Sequence, residues 1–256
     1  MPSCQGGIFI IFLKNYLMLV STNAIVISAL KYSEADLIVK CFTQKSGLKT
    51  YILRGILKSR KGKFKVSMFQ PLTQLEIVAR HKEKGTMEYL QEARIIHHYS
   101  TLHTNVIKST LVLFLSEILR SAIQEEEQNE SLYHYLENTF TWLDMHDNIA
   151  NFHLLFLLNL TRYLGFFPDE VQEDKQYFNM LDGVFQEVNT NPYCIDGPNF
   201  ELLKGLIGTK FDELEHIHLT RSGRSGFLNM MISYYQLHID SFKKPKSLGV
   251  LNEIFH

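Results

Sequence analysis

The first eighty residues after Met18 alternate apolar and polar positions with a period of two, which is typical of β-strands. Turn residues at 33–36, at 46–47 and at 83–85 interrupt this alternation. Five or six short, closely spaced strands predict a small closed or partly open barrel, for which the OB-fold is the commonest solution. We therefore predict an OB-fold β-barrel domain at residues 18–97, with strands at 19–32, 37–43, 48–56, 64–70, 72–79 and 87–96.

From residue 98 onward, apolar residues recur at intervals of three and four, which is typical of amphipathic helices. Gly165 follows one such run and is expected to end a helix, and Ser225 is expected to cap the last one. The fold class is therefore α+β, with an α-helical domain at residues 98–256 after the barrel. The predicted helices lie at 105–123, 132–143, 151–164, 198–207, 211–216 and 225–242.

Composition indicates a globular protein in a reducing compartment. The chain has 256 residues, of which 45% are hydrophobic, enough to bury a sizeable core. Its three cysteines are far apart and leave an odd thiol under any single pairing, so we expect a cytosolic protein. The apolar run at 8–13 has no positive side chain before it, and we interpret residues 1–17 as an extension before a start at Met18. No transmembrane helix is expected, because the longest later apolar run, 152–160, is about half of the ~20 residues needed.

Charge is concentrated in one segment, residues 37–75, which we call the basic stretch. It contains nine lysines and arginines and no aspartate or glutamate. Because the whole chain has a net charge of −1, the other residues carry about −10 between them. This polarity predicts a polyanion as partner, and the aromatic residues on the same predicted strands favour a nucleic acid. Single-strand binders need cations for the phosphates and aromatic faces for the bases.

The candidate DNA-binding residues all lie in the basic stretch. The alternative is that the cations keep the barrel soluble, as we expect for Lys40 and Lys45, and that the aromatic side chains point into the core. A stretch without acids argues against solubility alone, because mixed charges would serve that purpose. We predict phosphate contacts by Lys49, Arg54, Lys58, Arg60, Lys61, Lys63 and Lys65, and stacking by Tyr51 and Phe64.

Motifs for catalysis and for cofactors are missing from the sequence. It has no phosphate-binding glycine loop, no nucleophile elbow and no zinc-protease motif. The segment Arg221 to Gly226 is better explained as a helix entry than as an anion site. The histidines at 97, 98, 103, 216 and 218 have no cysteine beside them, so a metal site is not expected. We expect a protein that is not an enzyme and uses no cofactor; a metal-dependent nuclease would need acids where the phosphate binds.

Several segments, in order, resemble the RecO family of bacterial DNA repair proteins. In the predicted barrel they are Tyr32 to Leu37, Phe42-Thr43 with Gly47, Arg54-Gly55 and Gln70 to Leu72, and in the second half they are 164–168 and 246–251. The resemblance spans Met18 to the end of the chain. It implies binding to single- and double-stranded DNA, strand annealing, and help to RecA in displacing single-strand-binding protein. It also implies RecR as a partner and a pocket in the helical domain for the acidic C-terminal tail of single-strand-binding protein.

The sequence departs from the family pattern in one respect. Many RecO proteins have four zinc-binding cysteines after the segment that ends in proline, whereas residues 169–193 contain none and Cys194 stands alone. We therefore expect a zinc-free variant in which Tyr177, Phe178 and Phe185 help to close this loop. The competing hypothesis is a protein-interaction adaptor whose basic barrel face binds acidic peptides rather than DNA.

Overall fold

The N-terminal half is a five-stranded antiparallel barrel. A computed structural model describes residues 18–59, 62–81, 87–124, 127–172 and 174–255, so the predicted extension at 1–17 lies outside the described residues. The strand order is β3-β2-β1-β4-β5. A parallel bridge between Tyr51 and Glu88 joins the two edges, with the Ile52 amide donating to the Glu88 carbonyl at 3.0 Å. The predicted OB-fold-like barrel is thereby confirmed; its strands are β1 (Met18–Lys31), β2 (Leu37–Thr43), β3 (Gly47–Leu53), β4 (Gln74–His81) and β5 (Tyr89–Ile95).

One predicted strand is wrong. Residues 64–70 contain a 3-10 helix, Val66–Phe69, instead of a strand. A strand at 64–70 would need an unpaired strand to pair with. However, β1 is already paired with β2 and β4, and Tyr51 of β3 is already bridged to Glu88. Phe69 instead inserts into the barrel core, where it is 1% exposed.

The second half is helical and packs around one central helix. In α3 (Phe152–Leu164) nine of the thirteen residues are buried, and Gly165 ends it in the left-handed conformation with φ 85°, as predicted. The other elements are α1 (Val106–Ala122), α2 (Glu130–Met145), α4 (Gly197–Leu206), a 3-10 helix (Phe211–His216), α5 (Arg221–His238) and α6 (Leu248–Ile254).

Helix α5 begins earlier than predicted. Thr220 caps it by accepting a hydrogen bond from the Gly223 amide at 3.1 Å, so the prediction that Ser225 is the cap is wrong. The Arg221 to Gly226 segment is therefore the first turns of the helix and not a loop.

A small three-stranded sheet, which the sequence analysis did not predict, forms in the segment where many RecO proteins have zinc-binding cysteines. Its strands are β6 (Tyr177–Asn179), β7 (Val184–Gln186) and β8 (Cys194–Ile195), in the order β7-β6-β8. Phe178 lies opposite Phe185 with ring centroids 5.1 Å apart, and Phe185 meets Phe200 at 5.8 Å. The aromatic contacts expected to close this loop are present. Within the described ranges, no group of three or more histidine, cysteine or acidic residues is placed to hold a metal ion.

The barrel and the helices share a core and a buried polar joint. Ile25, Ile27 and Phe42 of the barrel pack in the same apolar cluster as the helices. Asp144 accepts hydrogen bonds from the backbone amides of residues 100, 101 and 102 at 2.7–2.9 Å. Lys108, 1% exposed, donates to the Asp144 carbonyl at 2.8 Å. Asp144 therefore ties the segment between β5 and α1 to the end of α2. Of the helices in the described residues, none is both long and apolar enough to cross a bilayer.

Candidate nucleic-acid interface

A groove of about 310 Å³ opens at the barrel seam, between the end of β3 and the start of β5. We call it the β3–β5 groove. Its apolar part is formed by aliphatic side chains and by the rings of Phe64 and Tyr89, and its cations are Arg54 and Lys63. The lining residues are Ile52, Leu53, Arg54, Ile56, Ser59, Gly62, Lys63, Phe64, Tyr89 and Leu90.

Three of the predicted site residues are brought together in this groove: Arg54, Lys63 and Phe64. The Arg54 guanidinium lies 5.9 Å from the centroid of the Tyr89 ring, and its Nη2 donates to the Tyr89 hydroxyl at 3.4 Å. Phe64 is half-buried and meets Phe69 edge-on, with centroids 6.0 Å apart. Because Phe69 belongs to the core, Phe64 is anchored from below while it lines the groove.

Tyr51 does not belong to this surface. Its side chain is completely buried in the barrel core, and its hydroxyl lies 2.8 Å from His81 Nε2. His81 in turn lies 3.6 Å from the Glu88 carboxylate. Burial raises the pKa of Tyr51 well above its ordinary value. The prediction that Tyr51 stacks on a base is therefore wrong, because a base cannot reach the ring.

Lys49 lies two residues before Tyr51 on β3 and so shares its strand face. Burial, and after it the charge of Lys49, lower the pKa of His81. Lys49 is half-buried and is not among the residues that line the β3–β5 groove.

Tyr89 is the aromatic residue that the sequence reasoning missed. It is 47% exposed, because Glu88 takes the inward position just before it and alternate strand residues point to opposite faces. Arg80 on β4 pairs with Tyr89 in the register and is also exposed, so an additional cation lies on the same side of the sheet. Both residues lie outside the basic stretch, and the order Glu-Tyr-Leu-Gln-Glu at 88–92 does not alternate, so no pattern in the sequence marked Tyr89.

The fold brings acids to the basic stretch although its sequence contains none. Lys58 pairs with Glu34 at 3.0 Å and Lys63 pairs with Glu92 at 3.4 Å, all four side chains being well exposed. The absence of acids from the sequence of the basic stretch therefore does not extend to its folded surface. Exposed pairs of this kind contribute about 0–1 kcal/mol, so a phosphate can replace either carboxylate. Lys65 is exposed, whereas Arg60 and Lys61 lie outside the described residues.

The arginine pair at the start of α5 has a different environment. Arg224 donates to the Asn151 side chain at 3.1 Å and to the Phe255 carbonyl at 3.2 Å, and so ties α5 to the start of α3 and the end of α6. Beside it is a cavity of about 80 Å³ lined by His153, which is 1% exposed. Burial, and then the Arg224 charge, lower the pKa of His153 to about 3. These contacts favour the interpretation of Arg221 to Gly226 as a helix entry over that of an anion site.

Comparison with known proteins agrees with this architecture. Residues 18–99 match the family model "Recombination protein O N terminal", and residues 103–248 match "Recombination protein O C terminal". The chain belongs to the RecO family. It is 61% identical over 238 residues to the DNA repair protein RecO of Christiangramia forsetii. It is 48% identical over 239 residues to that of Flavobacterium johnsoniae and 32% identical over 242 residues to that of Bacteroides fragilis. Each alignment covers 93% of this chain and 100% of the relative.

The assignment confirms the resemblance seen in the sequence and makes this a RecO-family DNA repair protein. The β3–β5 groove lies wholly within the part that matches the RecO N-terminal model. Asp144 lies within the part that matches the C-terminal model, and the amides of residues 100–102 that it accepts from lie between the two matched parts. In this RecO-family chain the two matched regions are thus bound to each other through a common core.

Proposed function

We propose that this RecO-family protein binds single- and double-stranded DNA through the β3–β5 groove and the cations around it, and anneals complementary strands. The observation that carries the proposal is the placement of Arg54, Lys63 and two aromatic rings around one groove of the barrel. Cations gain affinity for a DNA backbone by releasing its condensed counterions, and aromatic faces add stacking on bases.

In cells, the proposed role is that of a recombination mediator in DNA repair. It works with RecR. It acts on RecA indirectly, by helping RecA to replace single-strand-binding protein on single strands. The acidic C-terminal tail of single-strand-binding protein binds in the helical domain. The support for these partners is the membership of the RecO family, whose relatives are named as DNA repair proteins. The protein acts in the cytoplasm at the nucleoid, without a cofactor, and catalyses no reaction.

Charge reversal in the groove tests the DNA-binding part of the proposal. The double variant Arg54→Glu with Lys63→Glu is expected to weaken binding to an oligothymidine by at least tenfold. It is also expected to reduce the slope of log affinity against log salt by about 1.4, because each phosphate contact with a single strand contributes about 0.7. Fluorescence anisotropy over a salt series measures both quantities.

The matched control is Arg120→Glu with Lys210→Glu, which changes one exposed arginine and one exposed lysine in the helical half. Circular dichroism should show both double variants folded. An unchanged salt slope in the groove variant would place the DNA site elsewhere. If the wild-type protein shows no salt-dependent DNA binding, the adaptor hypothesis takes over, and acidic peptides become the ligands to test.

A further inference from the structure

We propose that the β3–β5 groove holds one unpaired DNA base, stacked on Tyr89, and that this contact makes the protein prefer single strands over duplex. This inference rests on the proposed DNA binding and adds the chemical group that the groove recognises. It replaces the predicted stacking by Tyr51 with stacking by a residue outside the basic stretch.

The Tyr89 ring is suited to stacking because it is both exposed and held in place. It is 47% exposed at the start of β5, where the bridge of Glu88 to Tyr51 fixes the backbone just before it. Arg54 contacts the ring from one side through its guanidinium and reaches the hydroxyl at 3.4 Å. A ring whose position is already fixed loses little conformational freedom when a base stacks on it.

The composition of the groove favours a base over a phosphate alone. A phosphate needs cations and N–H donors, and these lie at Arg54 and Lys63. The rest of the lining includes Ile52, Leu53, Ile56 and Leu90, which offer nothing to a phosphate but can contact the apolar faces of a base.

Duplex DNA cannot fill such a groove without distortion. Its bases are stacked and paired, and turning one out of the helix costs unstacking and unpairing energy. A single strand has bases that are already free to rotate. The cations that contact the DNA backbone should therefore contribute to the binding of both forms of DNA, whereas Tyr89 should contribute only to the binding of single strands.

The test compares Tyr89→Ala, Tyr89→Phe and a control, Tyr193→Ala, whose tyrosine has a similar exposure of 44% in the helical half. The probes are an oligothymidine, an abasic strand of the same length, and a blunt two-stranded duplex without loop or overhang that has the same number of phosphates. Loss of one stacked base is expected to weaken oligothymidine binding by about 5- to 150-fold. Binding to the abasic strand and to the duplex should stay within about twofold of wild type.

Tyr89→Phe should retain most of the affinity, since the ring persists and only the hydroxyl contact to Arg54 is lost. Wild type should prefer oligothymidine to the abasic strand, and Tyr89→Ala should lose that preference. Equal losses on oligothymidine and duplex, or no loss on either, would overturn the base site while leaving DNA binding intact. Wild-type protein that binds none of the three probes would overturn the base site and the proposed function together.

Discussion

The two acids that pair with the basic stretch should weaken DNA binding. Glu34 lies 3.0 Å from Lys58 and Glu92 lies 3.4 Å from Lys63, so each cation must leave its carboxylate before it can bind a phosphate. Replacing both with glutamine removes this competition and keeps side chains of the same size. We therefore expect the double variant Glu34→Gln with Glu92→Gln to bind DNA more tightly than wild type.

The size of the gain follows from the exposure of the pairs. The lysine side chains are 63% and 61% exposed and the glutamates 87% and 66%, which places both pairs in the range of about 0.2–1 kcal/mol. The two ion pairs share no residue. The free energies gained by removing each pair should therefore add to about 0.4–2 kcal/mol. Affinity should then rise by about 2- to 30-fold in low salt.

Anisotropy titrations with one labelled oligothymidine measure this change. At about 1 M salt, where the screening length is about 3 Å, the advantage should disappear. The single variants Glu34→Gln and Glu92→Gln show whether Lys58 or Lys63 contacts the DNA. The control is Glu201→Gln on α4, an exposed glutamate of the helical half, which should leave the affinity unchanged. Unchanged or weaker binding by the double variant would refute the reasoning that these cations are phosphate contacts.

Two further predictions concern stability. His153 is buried and its pKa is about 3, below the unfolded value of about 6.5, so the unfolded chain takes up the proton first as the pH falls. Its contribution to the free energy of unfolding should be present above pH 6.5 and fall by about 1.4 kcal/mol per pH unit between pH 6.5 and 3. Urea unfolding from pH 7 to 4 should show a smaller fall in His153→Phe, and parallel curves would contradict the prediction. Asp144→Ala leaves the amides of residues 100–102 without their acceptor in the joint and should cost about 3–5 kcal/mol, more than Asp144→Asn. A cost below about 1 kcal/mol in urea titrations would show that the joint is not stabilising.

The fold could be predicted where a pattern is local. The periods of two and of three to four are visible in the order of the residues, and so is the glycine that ends α3. The prediction of a strand at 64–70 was wrong because the conformation of this segment depends on which strands of the sheet are unpaired. That is decided by strands that are distant in the chain. The predicted start of α5 was wrong because Thr220 and Ser225 are both residue types that favour N-caps, and the structure uses Thr220.

The site could be predicted only in part for a related reason. Alternation in a strand divides residues into two faces but does not say which face points inward, and Tyr51 was assigned to the wrong one. Tyr89 was overlooked because the candidates were taken from a charge run, whereas a groove in a barrel is built from strands that are far apart in the sequence. Arg54, Lys63 and Phe64 were found because one short connection after β3 carries all three.

Charge counted along the sequence also overstates the charge that a ligand meets. Among the described cations of the basic stretch, Lys58 and Lys63 each acquire a carboxylate within 3.4 Å, from Glu34 in the turn before β2 and from Glu92 on β5. Arg54 instead contacts an aromatic ring, and Arg80, which the charge run does not include, lies opposite that ring. An arginine beside an aromatic face can contact a phosphate with its guanidinium while the ring contacts the base, which a lysine already paired with glutamate does less well. The binding energy of this surface should therefore depend more on the Arg54–Tyr89 pair than on the density of lysines that first drew attention to it.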